Sequence, residues 1–217
     1  MKKYISSVVL IGSAWGIVEA TVGHFLHVFT LGIGWLFWFP IAFFFLNSVY
    51  RITQKSSCML YTAVIAAGIK MIDIFYTPRY DYVINPAVSI ILEAVSVLAV
   101  YHYLETRKQP VRMNAFLVIV PCILWKVFYI SYLFFLPESW IHISCLSGLI
   151  PFAKFFFLET VMNTLMIGIS LLAIQRITAS KHKLSIKLEG MFHRSGTLLW
   201  LFSSLSLILA VIVQINL

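Results

Sequence analysis

Long runs of apolar residues, repeated along almost the whole chain, constrain its fold more than any motif does. A membrane-spanning helix needs about 20 predominantly apolar residues, and the 217-residue sequence holds seven candidate runs. Because 61% of its residues are hydrophobic and only 11% are charged, a water-soluble core could not bury this much apolar surface. The sequence therefore predicts an all-α, polytopic helix bundle that forms one transmembrane domain over residues 1–217.

The predicted spans follow the apolar runs and stop at polar or proline-containing segments. Asn85-Pro86 is expected to open span 4, because proline is favoured at the first helical position. Span 2 is rich in aromatic residues and has no charge, so it is expected to face lipid. Residues 175–195 are basic and partly amphipathic, which is typical of a connector on the cytoplasmic membrane surface. The seven spans cover about residues 4–29, 35–50, 58–76, 86–104, 113–136, 152–174 and 196–213.

Positive charge is divided unevenly between the two ends of these spans. When loops alternate between two sides, one side has only Arg79 and Lys154. The positive-inside rule then places the N-terminus in the cytoplasm and the C-terminus outside. The net charge of +8 is explained by this asymmetry, so no nucleic-acid partner is expected. The basic residues of the other side are Lys2, Lys3, Arg51, Lys55, Arg107, Lys108, Arg112, Arg176, Lys181, Lys183, Lys187 and Arg194.

Ionisable side chains also occur inside the spans, where each costs about 2.5–3.5 kcal/mol even on the most lenient scale. With a rise of about 1.5 Å per residue, all of them fall in the middle-to-outer part of the bilayer. One cavity that opens outward would explain this common depth. A set of ion pairs that stabilises the bundle is the alternative. The candidate site residues are Glu19, His24, Lys70, Asp73, Glu93, Lys126, Glu159 and the amide Asn163.

These residue types can hold a small polar solute among apolar walls. Glu19, Glu93 and Glu159 would accept hydrogen bonds, while Lys70 and Lys126 would contact anionic groups or act as counter-ions. Asp73 lies three residues from Lys70 and is expected to pair with it, and Glu159 and Asn163, four apart, share a helix face. His24 would be a donor or a ligand. The aromatic residues expected to stack on the solute are Trp15, Trp125, Tyr129 and Tyr132.

Small residues form a stripe on span 1, at Gly12, Gly16, Ala20 and Gly23. Such a stripe lets another helix approach closely, either within the bundle or in a partner subunit. With this stripe and an outward-facing polar site, the chain from Lys3 to about Ile177 resembles the substrate-binding S components of energy-coupling-factor transporters, and span 7 is additional to their six helices. The resemblance implies solute uptake across the bacterial inner membrane, with a coupling membrane subunit and two cytoplasmic ATPases as partners.

Other functions fit some of the same residues. His24 and His27 are three residues apart, so an intramembrane metal site for a divalent ion such as zinc, iron or manganese is one alternative, in a binding protein or a metalloenzyme. A proton-coupled carrier or membrane transferase, in which Glu93 or Glu159 takes up a proton, is another. Neither a nucleotide-binding loop nor a H-E-x-x-H or G-x-S-x-G motif is present, so an enzyme is not favoured. Carboxylates that could complete a metal site are Glu19, Asp73, Glu93 and Glu159.

Overall fold

The computed structural model describes residues 2–28, 34–108, 114–137, 145–180 and 196–216; at residues 2, 3, 24–28, 35, 173–180 and 196–198 it describes the backbone alone. Within these ranges the chain is helical and has no β-strand. Six helices are long and apolar enough to cross a membrane. The protein is therefore a multi-pass membrane protein with an all-α fold, as the apolar runs predicted.

In the described part of the chain, seven long helices, α1 to α7, follow the seven predicted spans. Short 3-10 helices at Gly34–Leu36 and Met71–Phe75 precede α2 and follow α3. The sixth helix has an α-helical turn at Leu149–Ala153, a π turn at Lys154–Leu158 and an α-helix at Glu159–Ser180, which run on without a break and are together called α6. The other helices are α1 (Lys2–Val28), α2 (Trp38–Thr53), α3 (Ser57–Lys70), α4 (Asp81–Thr106), α5 (Ala115–Leu133) and α7 (Gly196–Asn216).

The second helix falls short of the usual span length, whereas α3 reaches it together with the 3-10 segment that follows. At 16 residues α2 measures about 24 Å, at about 1.5 Å per residue. It must nevertheless cross the bundle, because α1 and α3 run in the same direction: Gly12 lies against Thr62 and Ile65, and Gly16 lies against Ile69. Because α1 precedes α2 in the chain and α3 follows it, α2 must run in the opposite direction to both.

One expectation about helix placement was wrong. Pro86 does not open α4, because the helix begins five residues earlier at Asp81 and contains the proline. The sixth helix continues to Ser180, so its last residues belong to the predicted surface connector, which starts at residue 175. The rest of the predicted surface connector, residues 181–195, lies outside the described part of the chain.

Span 2 does not face lipid, contrary to the sequence-based expectation. Phe39, Phe43, Leu46 and Val49 of α2 are almost completely buried and belong to the main hydrophobic cluster. Tyr101 of α4 donates a hydrogen bond to Asn47 Oδ1 of this helix, at 3.0 Å. Aromatic and aliphatic side chains are equally favourable in lipid and in a protein interior, so the hydrophobicity of this span could not show which of the two surrounds it.

The stripe on α1 is used within the bundle. A methyl group on Gly12 would lie 2.8 Å from the Thr62 carbonyl oxygen and 2.9 Å from Ile65 Cβ, and one on Gly16 would lie 2.6 Å from Ile69 Cδ1. The absence of side chains at both positions therefore allows α1 and α3 to approach closely. Any partner subunit would have to dock on a surface other than the Gly12–Gly16 part of the stripe.

We expect Gly12→Ala to destabilise the protein by about 1–3 kcal/mol, because the added methyl group meets a backbone oxygen that cannot rotate away. Gly68→Ala on the facing helix α3 is the matched control, since nothing lies within 4 Å of its Cβ position. This control should be neutral or stabilising by up to about 1 kcal/mol, as alanine is the better helix former. Thermal unfolding in detergent measures both, and equal effects would contradict the close α1–α3 contact.

Candidate functional site

A buried ion pair joins α5 to α6. Lys126 Nζ lies 3.2 Å from Glu159 Oε2, and Lys126 is 0% exposed. An ammonium group in such surroundings needs a nearby counter-charge to remain charged. Lys126 is thus the counter-ion of Glu159, which is one of the two roles that the sequence suggested for it.

Aromatic rings enclose this ion pair. Lys126 Nζ lies 4.0 Å from the ring centroid of Phe155 and 4.6 Å from that of Trp125. Phe39 of α2 stacks on Trp125 at 5.7 Å between centroids, and Tyr129 lies 5.8 Å from Phe155. The negative faces of the rings attract the ammonium group, so the apolar wall itself supports the charge.

The backbone of α6 changes its pitch at this point. In the π turn Lys154–Leu158, the N–H of Glu159 donates to the carbonyl oxygen of Lys154, five residues earlier. A π turn inserts one residue into a helix and is frequent at functional sites. Here it lies directly before Glu159, and both Phe155 and Glu159 reach Lys126. No feature of the sequence predicted it.

Glu93 and Glu19 connect this pair to the other side of the bundle. Glu93 is 3% exposed, at the middle of α4, and lies within electrostatic range of the Glu19 carboxylate and the Lys126 ammonium group. Glu19 is 7% exposed and accepts a hydrogen bond from Trp15 Nε1 at 3.0 Å. Trp15 was expected to stack on a solute; its described role is to hold the Glu19 carboxylate.

A second ion pair lies at the C-terminal end of α3. Lys70 Nζ is 2.8 Å from Asp73 Oδ2, which confirms the predicted pairing. Asp73 also accepts a hydrogen bond from Gln214 Nε2 of α7, and the Lys70 charge acts on Glu19. Gln214 was missed, although an amide near the C-terminal end of an apolar helix was a signal that could have found it.

These interactions bring six of the predicted residues into one connected set, which we call the polar layer: Asp73, Lys70, Glu19, Glu93, Lys126 and Glu159. Asn163 adjoins it, one helical turn from Glu159 and 0% exposed. The side chains of His24 and His27 lie outside the described residues, so the metal site stays a prediction. Among the described side chains, no group of three His, Cys, Asp or Glu is placed to hold a metal ion.

Three polar atoms beside the Lys126–Glu159 pair lack a partner within the described part of the protein. They are Trp125 Nε1 and both polar atoms of the Asn163 side chain, Oδ1 and Nδ2. A buried polar group without a hydrogen bond is strongly unfavourable where no water can replace it. Such groups need an explanation beyond stability of the bundle.

We expect Lys126→Met to destabilise the protein by about 3–5 kcal/mol, because the substitution leaves the Glu159 carboxylate buried without its counter-ion. The double variant Lys126→Met/Glu159→Gln removes both charges and should recover most of this loss. Thermal unfolding of the two variants beside the wild type is the measurement. A double variant as unstable as the single one would show that the ion pair does not account for the effect.

Cys145 provides a probe of the predicted orientation, which places it on the outer side of the membrane. It lies outside the spans, close enough to be influenced by the charges of Glu159 and Lys126, and burial raises the pKa of its thiol to about 11. The thiolate is the reactive form, and a raised pKa lowers its fraction at neutral pH. In right-side-out vesicles, alkylation of Cys145 by an impermeant iodoacetamide should be slow at pH 7 and rise about tenfold per pH unit up to pH 10.

The matched control for this labelling is Cys145→Ser, in which the remaining cysteines, Cys58 and Cys122, are both buried. It should show no comparable reaction. Labelling of Cys145 only after the vesicles are inverted would contradict the predicted orientation.

Comparison of the sequence and the structure with protein-family models, with curated proteins and with solved structures found no match. The function is therefore inferred from the polar layer itself.

Proposed function

We propose that the protein binds a small polar solute in the polar layer, from the outer side of the bacterial cytoplasmic membrane, for uptake into the cell. The observation that carries this proposal is the set of buried, unpartnered polar atoms of Trp125 and Asn163 beside the Lys126–Glu159 pair. A fourth such atom, Gln214 Oε1, belongs to the amide that hydrogen-bonds to Asp73. A solute in contact with them would supply the missing hydrogen bonds.

The balance of charge supports the same proposal. Lys70 and Lys126 each have a carboxylate within salt-bridge distance, Asp73 and Glu159 respectively. Glu19 and Glu93 have no lysine or arginine that close among the described residues, although both are buried. Two such carboxylates can accept hydrogen bonds from the donors of a solute, which is the role assigned to them from the sequence.

The arrangement along the membrane normal favours a binding site over a proton relay. A relay needs titratable groups along the path of the proton. The inner halves of the spans have no Asp, Glu, Lys or Arg, and their one histidine, His102, lies at the predicted cytoplasmic end of span 4. The charged groups instead extend sideways from helix to helix, as the walls of a single site would.

The coupling membrane subunit and the ATPases remain predictions from the resemblance to S components. Since Gly12 and Gly16 pack on α3, substitution of the α1 stripe would disturb the bundle and could not test docking by itself. Co-purification of ATPase subunits with the wild-type protein is the informative experiment for a motor-dependent role. Uptake by the protein alone in liposomes, driven by a pH gradient, would support the coupled carrier instead.

The proposed function predicts a small molecule that co-purifies with the protein and is lost in Glu93→Gln. This substitution keeps the size of the side chain but removes the buried carboxylate. Native mass spectrometry of the detergent-purified protein, with elemental analysis of the same sample, detects an organic ligand or a metal ion. The ligand should fall by at least about tenfold in occupancy, corresponding to about 1.4 kcal/mol of lost binding energy.

Glu105→Gln is the matched control, with the same chemical change in the same helix. Glu105 lies at the cytoplasmic end of α4, where it accepts hydrogen bonds from the backbone N–H and hydroxyl of Ser56. It should keep the ligand. If the protein contains about one metal ion per chain and no organic molecule, the metal site at His24 and His27 becomes the better interpretation. If it contains neither, the polar layer has a structural role only.

A further inference from the structure

Three of the four buried polar atoms that lack partners among the described residues lie on Trp125 and Asn163, and the fourth lies on Gln214. The first three mark a part of the proposed site that we call the Lys126 subsite: Trp125, Lys126, Phe155, Glu159 and Asn163. Trp125 is 8% exposed and Asn163 is 0% exposed, and neither finds a hydrogen-bond partner for its side chain among the described residues. Both adjoin the same ion pair. Trp125 precedes Lys126 and lies under its ammonium group, and Asn163 lies one helical turn from Glu159, on the same face of α6.

The chemistry of these atoms specifies what a partner must offer. The Trp125 indole N–H is a donor only, whereas the Asn163 amide presents an N–H donor beside a carbonyl acceptor. A planar amide of this kind pairs best with a flat group that has a donor and an acceptor side by side, as asparagine does with adenine. Trp125 then requires one further acceptor on the same molecule.

The walls of the subsite restrict the molecule further. Trp125, Tyr129 and Phe155 form an aromatic cluster with ring centroids 5.5–5.9 Å apart, and Phe39 lies 5.7 Å from Trp125. Such surfaces favour a flat ring by stacking. The charge of Lys126 is already balanced by Glu159, so the subsite does not call for an anionic group.

We propose that the Lys126 subsite binds the lactam or amide edge of a small heteroaromatic ring. The carbonyl oxygen of the Asn163 side chain accepts a hydrogen bond from the N–H of that edge, and its amide N–H donates to the adjacent carbonyl group of the ring. The indole N–H of Trp125 donates to a second acceptor on the same molecule. The proposal rests on the proposed function and narrows it to one class of solute. Glu19 and Glu93 would then contact donors on the rest of the molecule.

The first test is the thermal stability of Asn163→Leu against the wild type, after any co-purified ligand has been removed from both by exhaustive dialysis. Leucine has nearly the same shape and removes two buried, unpartnered atoms, so the Tm should rise, by about 2–4 °C for each kcal/mol gained in a chain of this length. Asn163→Asp, which adds a charge to the same place, should lower it. An unchanged or lower Tm for Asn163→Leu would show that Asn163 has a partner in the folded protein or a bound water, and would overturn the proposal.

The second test uses uracil as the probe and 1,3-dimethyluracil as its matched control, since methylation removes both N–H donors and leaves the ring and its carbonyl groups. Uracil at millimolar concentration should raise the Tm of the wild type, because a molecule that binds only the folded state stabilises it. It should not raise that of Asn163→Leu, and 1,3-dimethyluracil should have at least tenfold less effect. Benzoate tests the competing idea that Lys126 leaves Glu159 to bind an anion.

The outcomes separate this proposal from the proposed function. Stabilisation by benzoate instead of uracil, or a co-purified molecule without a lactam or amide edge, would overturn the proposal while the solute-binding function stands. A co-purified molecule with such an edge would support it even if uracil itself is too small to bind. No bound molecule by mass spectrometry and no response to any probe would overturn both.

Discussion

The free energy needed to place a charge away from water is the constraint on which the rest of this structure depends. Lys126 is completely buried between helices, and its charge is tolerable only because Glu159 and two aromatic faces surround it. That requirement fixes the register of α5 against α6. It also explains why the irregular turn of α6 precedes Glu159, since Phe155 and Glu159 must both reach the same ammonium group. Aromatic packing then extends from this pair to Phe39 of α2.

On the opposite side of the bundle, α1 packs closely on α3 for a different reason, and this contact also positions residues of the polar layer. Without side chains at Gly12 and Gly16, α1 lies directly on α3. This contact sets Glu19 of α1 at the level of Lys70 at the end of α3, where the lysine charge acts on the carboxylate. The seventh helix adds Gln214, which hydrogen-bonds to Asp73. The α5–α6 contact and the α1–α3 contact therefore place their charged residues at the same level of the bundle, with Glu93 between them.

Much of this arrangement was predictable, because the bilayer imposes simple rules on sequence. The apolar runs predicted the all-α fold and all seven helices, and the spacing of Lys70 and Asp73 predicted their ion pair. Hydrophobicity could not predict that α2 is buried, since the interior of a membrane protein and the surrounding lipid are equally apolar. The π turn within Lys-Phe-Phe-Phe-Leu has no sequence signature. The start of α4 was missed because proline marks the first turn of a helix only where no earlier residue can begin it. Here Asp81, which pairs with Arg79, begins the helix five residues before Pro86.

Departures from regular helix geometry are placed unevenly, and their placement bears on where a solute could bind. A 3-10 segment follows α3 at Met71–Phe75, and the π turn lies in the first part of α6, both close to the polar layer. Irregular backbone at membrane depth is tolerated where it is buried in protein or lines a cavity. Toward the other end of the bundle, α2 packs Leu46 and Val49 into a dense apolar core. The two non-α turns therefore lie beside the charged residues, where a bound solute would need room, and the regular helices pack closely away from them.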